Sequence, residues 1–322
     1  MKDTSALQLS QLLDAASAPT VLREAGRLFA HHYGAAGFRP VRHAAGLVER
    51  LFAGRFPGYR ACNTEYHDLA HTLGVLLAAA RLLDGHALAR GGRSALPGGD
   101  HLTPSMARGP LPAVIAVNVL LAALLHDTGY LQRRDDEQGT GAKYTRTHVE
   151  RSIRLTLTYA VDLEIPPAQA EVVGRLISGT DLDRSGQDLF HSEEEKIAGA
   201  ILASADLLGQ MSDRTYLEKL IFLYKELQEA GIGDYRTEFD ILRSTLGFYR
   251  IVRERLDGPL MGVYKEASLH FEKRFAISRN LYTEAIERQM EYLEEIIEDN
   301  TTNFRKKLKR MDLEKYGSAR PA

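Results

Sequence analysis

The sequence has very little cysteine, no strong excess of either charge and no long apolar run. Its 322 residues include one cysteine, Cys62, so an intrachain disulfide and a cysteine-rich zinc site are both excluded. The 41 basic and 43 acidic residues give a formal net charge of -2, which argues against a general nucleic-acid or membrane-surface binder. Local basic patches stay compatible with this balance, and any bound metal would need His, Asp and Glu ligands.

Signals for membrane insertion and export are weak. The longest apolar stretch, PLPAVIAVNVLLAALL at residues 110–125, is shorter than the about 18 residues of a spanning helix, and we interpret it as a buried core helix. The N-terminal residues MKDTSALQLSQLL carry early charge and lack the apolar core and cleavage site of a signal peptide. The sequence therefore predicts a cytoplasmic protein without a membrane partner.

Apolar residues recur at three- and four-residue spacing along most of the chain, whereas strand-like alternation is nearly absent. Proline and glycine interrupt these segments at 17–19, 56–58, 166–167 and 231–233. The predicted helices cover residues 8–16, 20–33, 42–53, 66–84, 111–126, 146–160, 167–178, 193–211 and 213–230. The expected fold class is all-α.

Three regions are expected: N-terminal helices at 1–58, a core domain at 59–230 and a C-terminal helical extension at 231–322. The Gly- and Pro-rich residues 91–110 predict a long loop, either a plain surface insertion or a lid. Residues 278–310 form a charged amphipathic stretch that suits packing or homo-oligomerisation through the C-terminal helices. The basic run RKKLKR at its end is interpreted as a solvated helix end rather than a nucleic-acid patch.

Ionisable side chains interrupt two otherwise apolar helices. His126 and Asp127 end the first, and Asp206 lies inside the second, among small and aliphatic neighbours. Burying a charge is costly unless it is paired or coordinated, and imidazole and carboxylate are the usual ligands of divalent cations where thiolates are absent. An isolated Asp in a helix is also compatible with a cap or a satisfied hydrogen bond, so the metal hypothesis depends on the residues in combination.

The segment EYHDLAHTLGV at 65–75 adds two histidines, His67 and His71, four residues apart. This spacing places them on one face of a helix, about one turn apart. An imidazole with an ordinary pKa near 6.5 also suits proton donation at neutral pH. The spacing is compatible with a site but does not by itself define one.

The order of these residues, His71, then His126 with Asp127, then Asp206, resembles the HD family of metal-dependent phosphohydrolases. YHDLAH at 66–71 is similar to the YHNxxH motif of its cyclic nucleotide phosphodiesterase branch. ISGTDL at 177–182 and SADLLGQ at 204–210 resemble that branch's segments before and around the last metal ligand. The resemblance covers about residues 60–215.

The resemblance implies an HD-domain helical bundle that holds one or two divalent ions, which would be Mg, Mn, Fe or Zn. His71, His126, Asp127 and Asp206 would hold the first ion, and Asp127 would bridge to the second. It further implies a phosphodiesterase-like cleavage of a phosphate ester by a metal-bridging hydroxide, with His67 protonating the leaving oxygen. The expected partner is a phosphorylated small molecule, a nucleotide or related compound.

Three departures from that branch leave the substrate open. The chain has HDTGYLQ at 126–132 where the branch has HDxxH, and Gly74 stands where an Asp usually follows the first motif. The C-terminal glutamine and aromatic clamp that recognises a purine is not identifiable in this sequence. The hydrolytic machinery is therefore easier to predict than the base or the sugar.

His148 is the predicted fifth ligand, because several HD branches place a second-metal histidine in this region. The alternative is a histidine at a helix start, with Thr145 or Thr147 as the cap. His191 is a candidate for a second-metal ligand or a substrate contact. Glu65 and Asp68 would orient His67, or would be first-turn acids favoured by the helix dipole.

Lys143, Arg146 and Arg151 are candidate phosphate contacts, although exposed basic residues are common. Two other function classes stay open. One is a mixed-valent di-iron HD oxygenase, which would need His148 as a ligand. The other is a degenerate HD module for signalling or interaction, which has no chemical need for a full ligand set.

Overall fold

The computed structural model describes residues 7–91, 109–182, 189–299 and 301–313. Within these ranges the regular structure is helical, and the isolated bridges Ala53–Ala61 and Tyr59–Arg133 are the only strand-like pairings. The α-helices are α1 Leu9–Leu12, α2 Ala18–Tyr33, α3 Arg39–Phe52, α4 Leu69–Gly91, α5 Ala113–Leu125, α6 His148–Thr158, α7 Pro167–Ser178, α8 Glu193–Met211, α9 Tyr216–Glu229, α10 Glu238–Asp257, α11 Ala267–Phe275 and α12 Leu281–Glu298. The predicted all-α class is confirmed.

Short 3-10 turns link several of these helices. Thr128–Tyr130 and Gly141–Tyr144 are the two that lie beside the candidate site. The turns are Ala35–Phe38, Thr128–Tyr130, Gly141–Tyr144, Val263–Glu266 and Phe304–Lys306.

Helix α4 is the centre of the fold. It is apolar around most of its circumference. Every residue from His71 to Ala87 except Gly74 is buried, as expected for a helix surrounded by others. It packs against α2, α5, α8 and α11. Helices from all three expected regions therefore share one core helix, and the boundaries at 58 and 230 stay a prediction.

Two helical segments are long and apolar enough to cross a membrane by length and composition, Leu69–Gly91 and Ala113–Tyr130. The second is longer than the sequence suggested, because the turn after α5 continues it. In both segments 83% of the apolar window is buried inside the fold, as in the core helices of a soluble protein. The interpretation of residues 110–125 as a core helix is supported, and the absence of a membrane partner stays a prediction.

Most predicted helices are present, with shifted ends. The predictions at 167–178 and 193–211 match α7 and α8, whereas the segment at 8–16 forms only the four-residue α1. Pro19 and Pro40 lie in the first turns of α2 and α3, where a missing N–H costs nothing, so both helices begin earlier than expected. Helices α10 and α11 were not predicted.

The C-terminal stretch 278–310 is not one long helix. Helix α12 ends at Glu298, and Arg305 of the basic run lies in a 3-10 turn and pairs with Glu238. The apolar face of α12 packs against α8, α9 and α10 within the chain, so it is not free to form an oligomer in this state. Homo-oligomerisation stays a prediction, and most of the 91–110 loop, with the question of a lid, lies outside the described residues.

Candidate metal centre

The HD pair lies where α5 gives way to a tight turn. His126 is the C-cap residue of α5, and Asp127 begins the 3-10 turn Thr128–Tyr130, with both side chains almost completely buried. His126 donates Nδ1–H to the Ala123 carbonyl at 3.0 Å. Because a neutral imidazole carries one proton, this contact leaves the lone pair on Nε2 available for a ligand bond.

His71 lies in the first turn of α4. The Asp68 carboxylate accepts a hydrogen bond from the His71 backbone N–H at 2.8 Å, as an N-cap residue does. Of the two expectations for Asp68, the structure therefore supports the helix-start role. This cap fixes the turn that presents the His71 imidazole.

Gly209 lets α4 and α8 approach closely enough to bring ligands together, and Gly74 lies opposite it. A Cβ atom on Gly209 would lie 3.1 Å from the Val75 nitrogen, and one on Gly74 would lie 3.8 Å from the Gly209 carbonyl oxygen. His71 precedes Gly74 by one turn and Asp206 precedes Gly209 by one turn, so the two ligands face each other across the crossing. Gly74, unexpected from the resemblance, lies at this crossing, where the space would accept a Cβ atom.

The four side chains converge. Asp127 Oδ2 lies 3.1 Å from His71 Nε2 and 3.2 Å from His126 Nε2. Asp206 Oδ1 lies 3.3 Å from His71 Nε2 and 3.8 Å from His126 Nε2. Donor atoms of His71, His126 and Asp127 all lie within 4.8 Å of one another, the one such group among the described residues.

These residues fit a metal ion. Asp127 Oδ2 is buried and accepts no hydrogen bond from the described part of the chain, despite the two imidazole nitrogens beside it. Ligand atoms about 2.1 Å from a common ion lie roughly 3 to 3.4 Å from one another, close to the spacing found in the cluster. A divalent cation would bind the carboxylate oxygens and imidazole nitrogens that otherwise face one another.

The electrostatics of the cluster favour positive charge between its carboxylates. Burial of the His71 ring opposes its charged form, but the facing Asp127 and Asp206 carboxylates outweigh burial and raise its pKa to about 10. Burial would raise the pKa of Asp127, yet His126 and His71 hold it well below its usual range. The pKa of Asp206 is lowered for the same reason. A proton or a metal ion can supply that positive charge.

His67 lies beside the cluster and is held by a residue that the sequence did not reveal. Its Nδ1–H donates to Glu226 Oε2 at 2.6 Å, and its ring centroid lies 5.9 Å from that of His71. Glu226 Oε1 accepts hydrogen bonds from the backbone N–H groups of Glu65 and Tyr66. Glu226, on α9, is thus the residue that orients His67, and the Glu65 side chain is exposed.

Residues 62–67, which precede α4, are held together by short contacts. Thr64 donates its hydroxyl to the His67 carbonyl at 2.7 Å, and the Cys62 thiol lies 3.1 Å from the Thr64 hydroxyl. Burial raises the pKa of the Cys62 thiol to about 11. This cysteine is therefore a packed thiol next to the candidate site.

His148 joins the cluster from the start of α6. It donates Nδ1–H to the Thr145 carbonyl at 2.7 Å, and its Nε2 lies 3.7 Å from Asp127 Oδ1. Burial lowers the pKa of the ring, which favours the neutral form that a metal ligand needs. Neither Thr145 nor Thr147 caps α6: Thr147 occupies the N-cap position without a side-chain hydrogen bond to the helix, and both hydroxyls donate to a carbonyl three residues earlier.

The three basic residues considered as phosphate contacts bind protein groups. The Lys143 ammonium pairs with Asp136 and with the Gln138 carbonyl. Arg146 and Arg151 donate to main-chain carbonyl oxygens. A substrate contact from Lys143 would need this pairing to exchange, and its role stays a prediction.

The structure does not bring His191 to the cluster. Its side chain is exposed just before α8, and its backbone N–H donates to Glu195. Asp206 lies 13 residues into α8, which corresponds to about 20 Å at 1.5 Å per residue. His191 would need a large movement to serve as a second-metal ligand.

The fold and its buried cluster define an all-helical protein with a candidate metal centre. A family model described as Npun_R2479-like matches residues 115–256, which run from α5 through most of α10. The matched range contains His126, Asp127, His148, Asp206 and Glu226, and it begins after His67 and His71. No curated protein and no solved structure matches the chain.

Proposed function

We propose that the protein is an HD-type, metal-dependent phosphohydrolase that cleaves a phosphate ester of a nucleotide or related compound. The observation that carries the proposal is the position of His67 beside the His71, His126, Asp127 and Asp206 cluster, with a carboxylate behind it. The cluster and the adjacent imidazole provide the two functions that ester cleavage needs, charge neutralisation and proton transfer.

One or two divalent cations would be held by His71, His126, Asp127 and Asp206, with His148 completing the set. When bound, such cations acidify water and neutralise phosphoryl oxygens. Among the neighbouring basic residues, Lys143 is paired with the Asp136 carboxylate, whereas Arg146 and Arg151 keep their charge and are held by main-chain carbonyl oxygens. We expect the metal site to neutralise most of the substrate's charge.

His67 would serve as the proton donor to the leaving oxygen. Its Nδ1–H is committed to Glu226, so Nε2 is the nitrogen that can hold and release a proton. The Glu226 carboxylate accepts this hydrogen bond, and its own position is fixed by two backbone N–H groups. The His67 side chain is 15% exposed, so a substrate can reach it from solvent.

The test is a panel of phosphate esters, including cyclic mono- and dinucleotides, assayed with protein reconstituted with Mn²⁺ or Mg²⁺. Native protein should hydrolyse at least one ester, and His67→Ala and Asp127→Ala should each lose that activity. His31→Ala, an exposed histidine on α2, is the matched control and should keep it. Equal activity in native protein and in both site variants would refute the assignment.

A di-iron HD oxygenase is the second candidate, and the 3.7 Å approach of His148 Nε2 to Asp127 Oδ1 favours it. Iron-loaded protein would then show an iron-dependent absorption spectrum and consume oxygen. A protein that binds neither Mn²⁺, Mg²⁺ nor iron would instead support the degenerate module and reject both enzyme candidates.

A further inference from the structure

One aromatic ring contacts both imidazoles that have separate tasks in the proposed site. The Tyr130 ring centroid lies 4.2 Å from that of His67, with the planes 10° apart, and 4.7 Å from that of His148, with the planes 22° apart. The tyrosine is 2% exposed. His67 and His148 are distant in sequence, so Tyr130 is a physical link between them.

Both imidazoles pack against the Tyr130 ring. Their own centroids are 6.4 Å apart, with the planes 30° apart. Tyr130 is therefore a platform that both rings contact.

The backbone beneath the platform is tightly held. A Cβ on Gly129 would lie 2.0 Å from the His148 carbonyl oxygen, so only glycine permits this approach of the turn to α6. The Ser152 hydroxyl accepts from the Gly129 N–H at 2.8 Å and donates to the His126 carbonyl. Arg151 donates to the carbonyl of Gly129 at 2.6 Å. The turn that carries Tyr130 and the helix that carries His148 thus move as one unit.

We propose that Tyr130 is a positioning residue that sets the locations of His67 and His148 relative to the metal cluster. The assignment of different tasks to those histidines rests on the proposed function, whereas the platform itself rests on geometry. A tyrosine that only filled the core would affect stability alone. A platform also affects imidazole geometry and metal binding, because small displacements of reacting groups cost large factors in rate.

The experiment compares Tyr130→Phe, which keeps the ring, with Tyr130→Leu, which removes it. Tyr282→Leu, at an equally buried tyrosine on α12, is the control for loss of a core ring. Nuclear magnetic resonance of the metal-free proteins reports the ring-current shifts of the His67 and His148 ring protons. These shifts should persist in Tyr130→Phe and Tyr282→Leu. In Tyr130→Leu they should fall for both rings, with the Tyr66 contribution at His67 remaining.

Calorimetric titration with Mn²⁺ alone provides the second readout. Tyr130→Leu should weaken Mn²⁺ binding by about tenfold, within the range seen when supporting contacts of metal ligands are removed. Tyr130→Phe and Tyr282→Leu should bind Mn²⁺ as native protein does. With an identified ester, Tyr130→Leu should lower kcat by more than it changes KM, and Tyr130→Phe should restore kcat.

Unchanged ring-proton shifts and Mn²⁺ affinity in Tyr130→Leu, with only a lower Tm, would overturn the platform. If that variant does not fold, nuclear Overhauser contacts in native protein decide: Tyr130 ring protons must contact both imidazoles, and a missing contact overturns the inference. If native protein hydrolyses no ester, the proposed function fails, and the resonance and Mn²⁺ measurements still decide the platform.

Discussion

Two buried clusters of histidine and aspartate lie on α4, and they differ in how their charge is balanced. In the second cluster, Asp84 accepts hydrogen bonds from His32 at 2.7 Å and from His270 at 2.8 Å. Arg274 adds a bidentate pair, at 2.6 and 3.0 Å. Both Asp84 oxygens are satisfied by these donors, so this carboxylate needs no ion.

The candidate metal centre has the same residue types, and no guanidinium from the described part of the chain pairs with its carboxylates. Asp127 Oδ2 is left without a hydrogen bond, and imidazole nitrogens face it. The two clusters, at His71 and Asp84, are separated by about 20 Å along α4 at 1.5 Å per residue. Burial of Asp and His therefore does not by itself tell the two clusters apart. The source of the compensating positive charge distinguishes a structural clamp from a candidate metal site.

The largest expected effect is that of Asp127→Asn. Replacing the buried carboxylate by an amide removes the charge between the histidines, so Mn²⁺ binding should be lost. Ester hydrolysis should fall by at least about a thousandfold, equivalent to the several kcal/mol that a metal ion supplies to a transition state. Calorimetry and initial rates measure both effects, and native Mn²⁺ affinity in this variant would contradict the site.

Asp84→Asn should have the opposite profile. It leaves the Arg274 guanidinium in a largely buried position without its counter-ion, which should destabilise the fold by about 3 to 5 kcal/mol. Urea unfolding measures the loss. Mn²⁺ affinity should stay native in the folded variant, and a loss of Mn²⁺ binding without destabilisation would show that the two clusters are not distinct.

The free energy of unfolding measured at acid pH provides the control for Asp84→Asn. Burial opposes the charged form of Asp84, but His270, His32 and Arg274 hold its pKa far below the usual 3.8. Its stabilisation is therefore fully present above the unfolded pKa and is lost as the pH falls below it. Asp84→Asn should remove this part of the acid-induced loss of stability.

Glu226→Gln should reduce catalysis without affecting the metal cluster. The amide keeps an oxygen for the backbone N–H groups of Glu65 and Tyr66, but it loses the second carboxylate oxygen, which accepts the His67 Nδ1–H. We expect kcat to fall by about tenfold to a hundredfold, less than the largest effects of general acid catalysis. Unchanged kcat would remove Glu226 from the site, and native Mn²⁺ affinity is the control.

The smallest expected effects come from the glycines at the α4–α8 crossing. Gly209→Ala would bring a methyl group within 3.1 Å of the Val75 nitrogen, so α8 must shift; overpacking of this kind costs about 1 to 3 kcal/mol. Gly74→Ala meets only an ordinary contact at 3.8 Å and should stabilise α4 by about 0.5 to 1 kcal/mol.

Thermal unfolding and Mn²⁺ titration measure both glycine variants. Gly209→Ala should weaken Mn²⁺ binding, because Asp206 lies one turn away on the displaced helix. Equal Mn²⁺ affinities in the two variants would show that the geometry of the α4–α8 crossing does not affect metal binding.

The helices were predictable where burial is one-sided or complete, because periodicity records it directly. Helix α10 was missed because few of its residues are buried and its outer face mixes Arg, Glu and exposed Ile251. Its start did carry a local signal: Thr237 and Asp240 form a capping box. The end of α12 at Glu298 was not predicted within the amphipathic stretch 278–310, because charged patterning alone does not mark where a helix ends.

The convergence of His71, His126, Asp127 and Asp206 was suggested by the sequence because ionisable residues in apolar helices are costly, and Asp206 stood out for that reason; a bound metal stays a prediction. Asp84 carries the same local signal and belongs to a clamp, since its partners Arg274 and His270 are nearly 200 residues away. Glu226 and Tyr130 had no local signal at all. Their roles depend on contacts between distant segments, which periodicity and spacing do not encode.

The single cysteine provides a built-in reporter for the segment that presents His67. At neutral pH the Cys62 thiol is protonated and packed against Thr64, so thiol reagents should modify it only when residues 62–67 open. The labelling rate therefore measures the local opening of this segment, without any introduced probe. A ligand that bound against His67 and closed this segment would slow the labelling, even before its chemical identity was known.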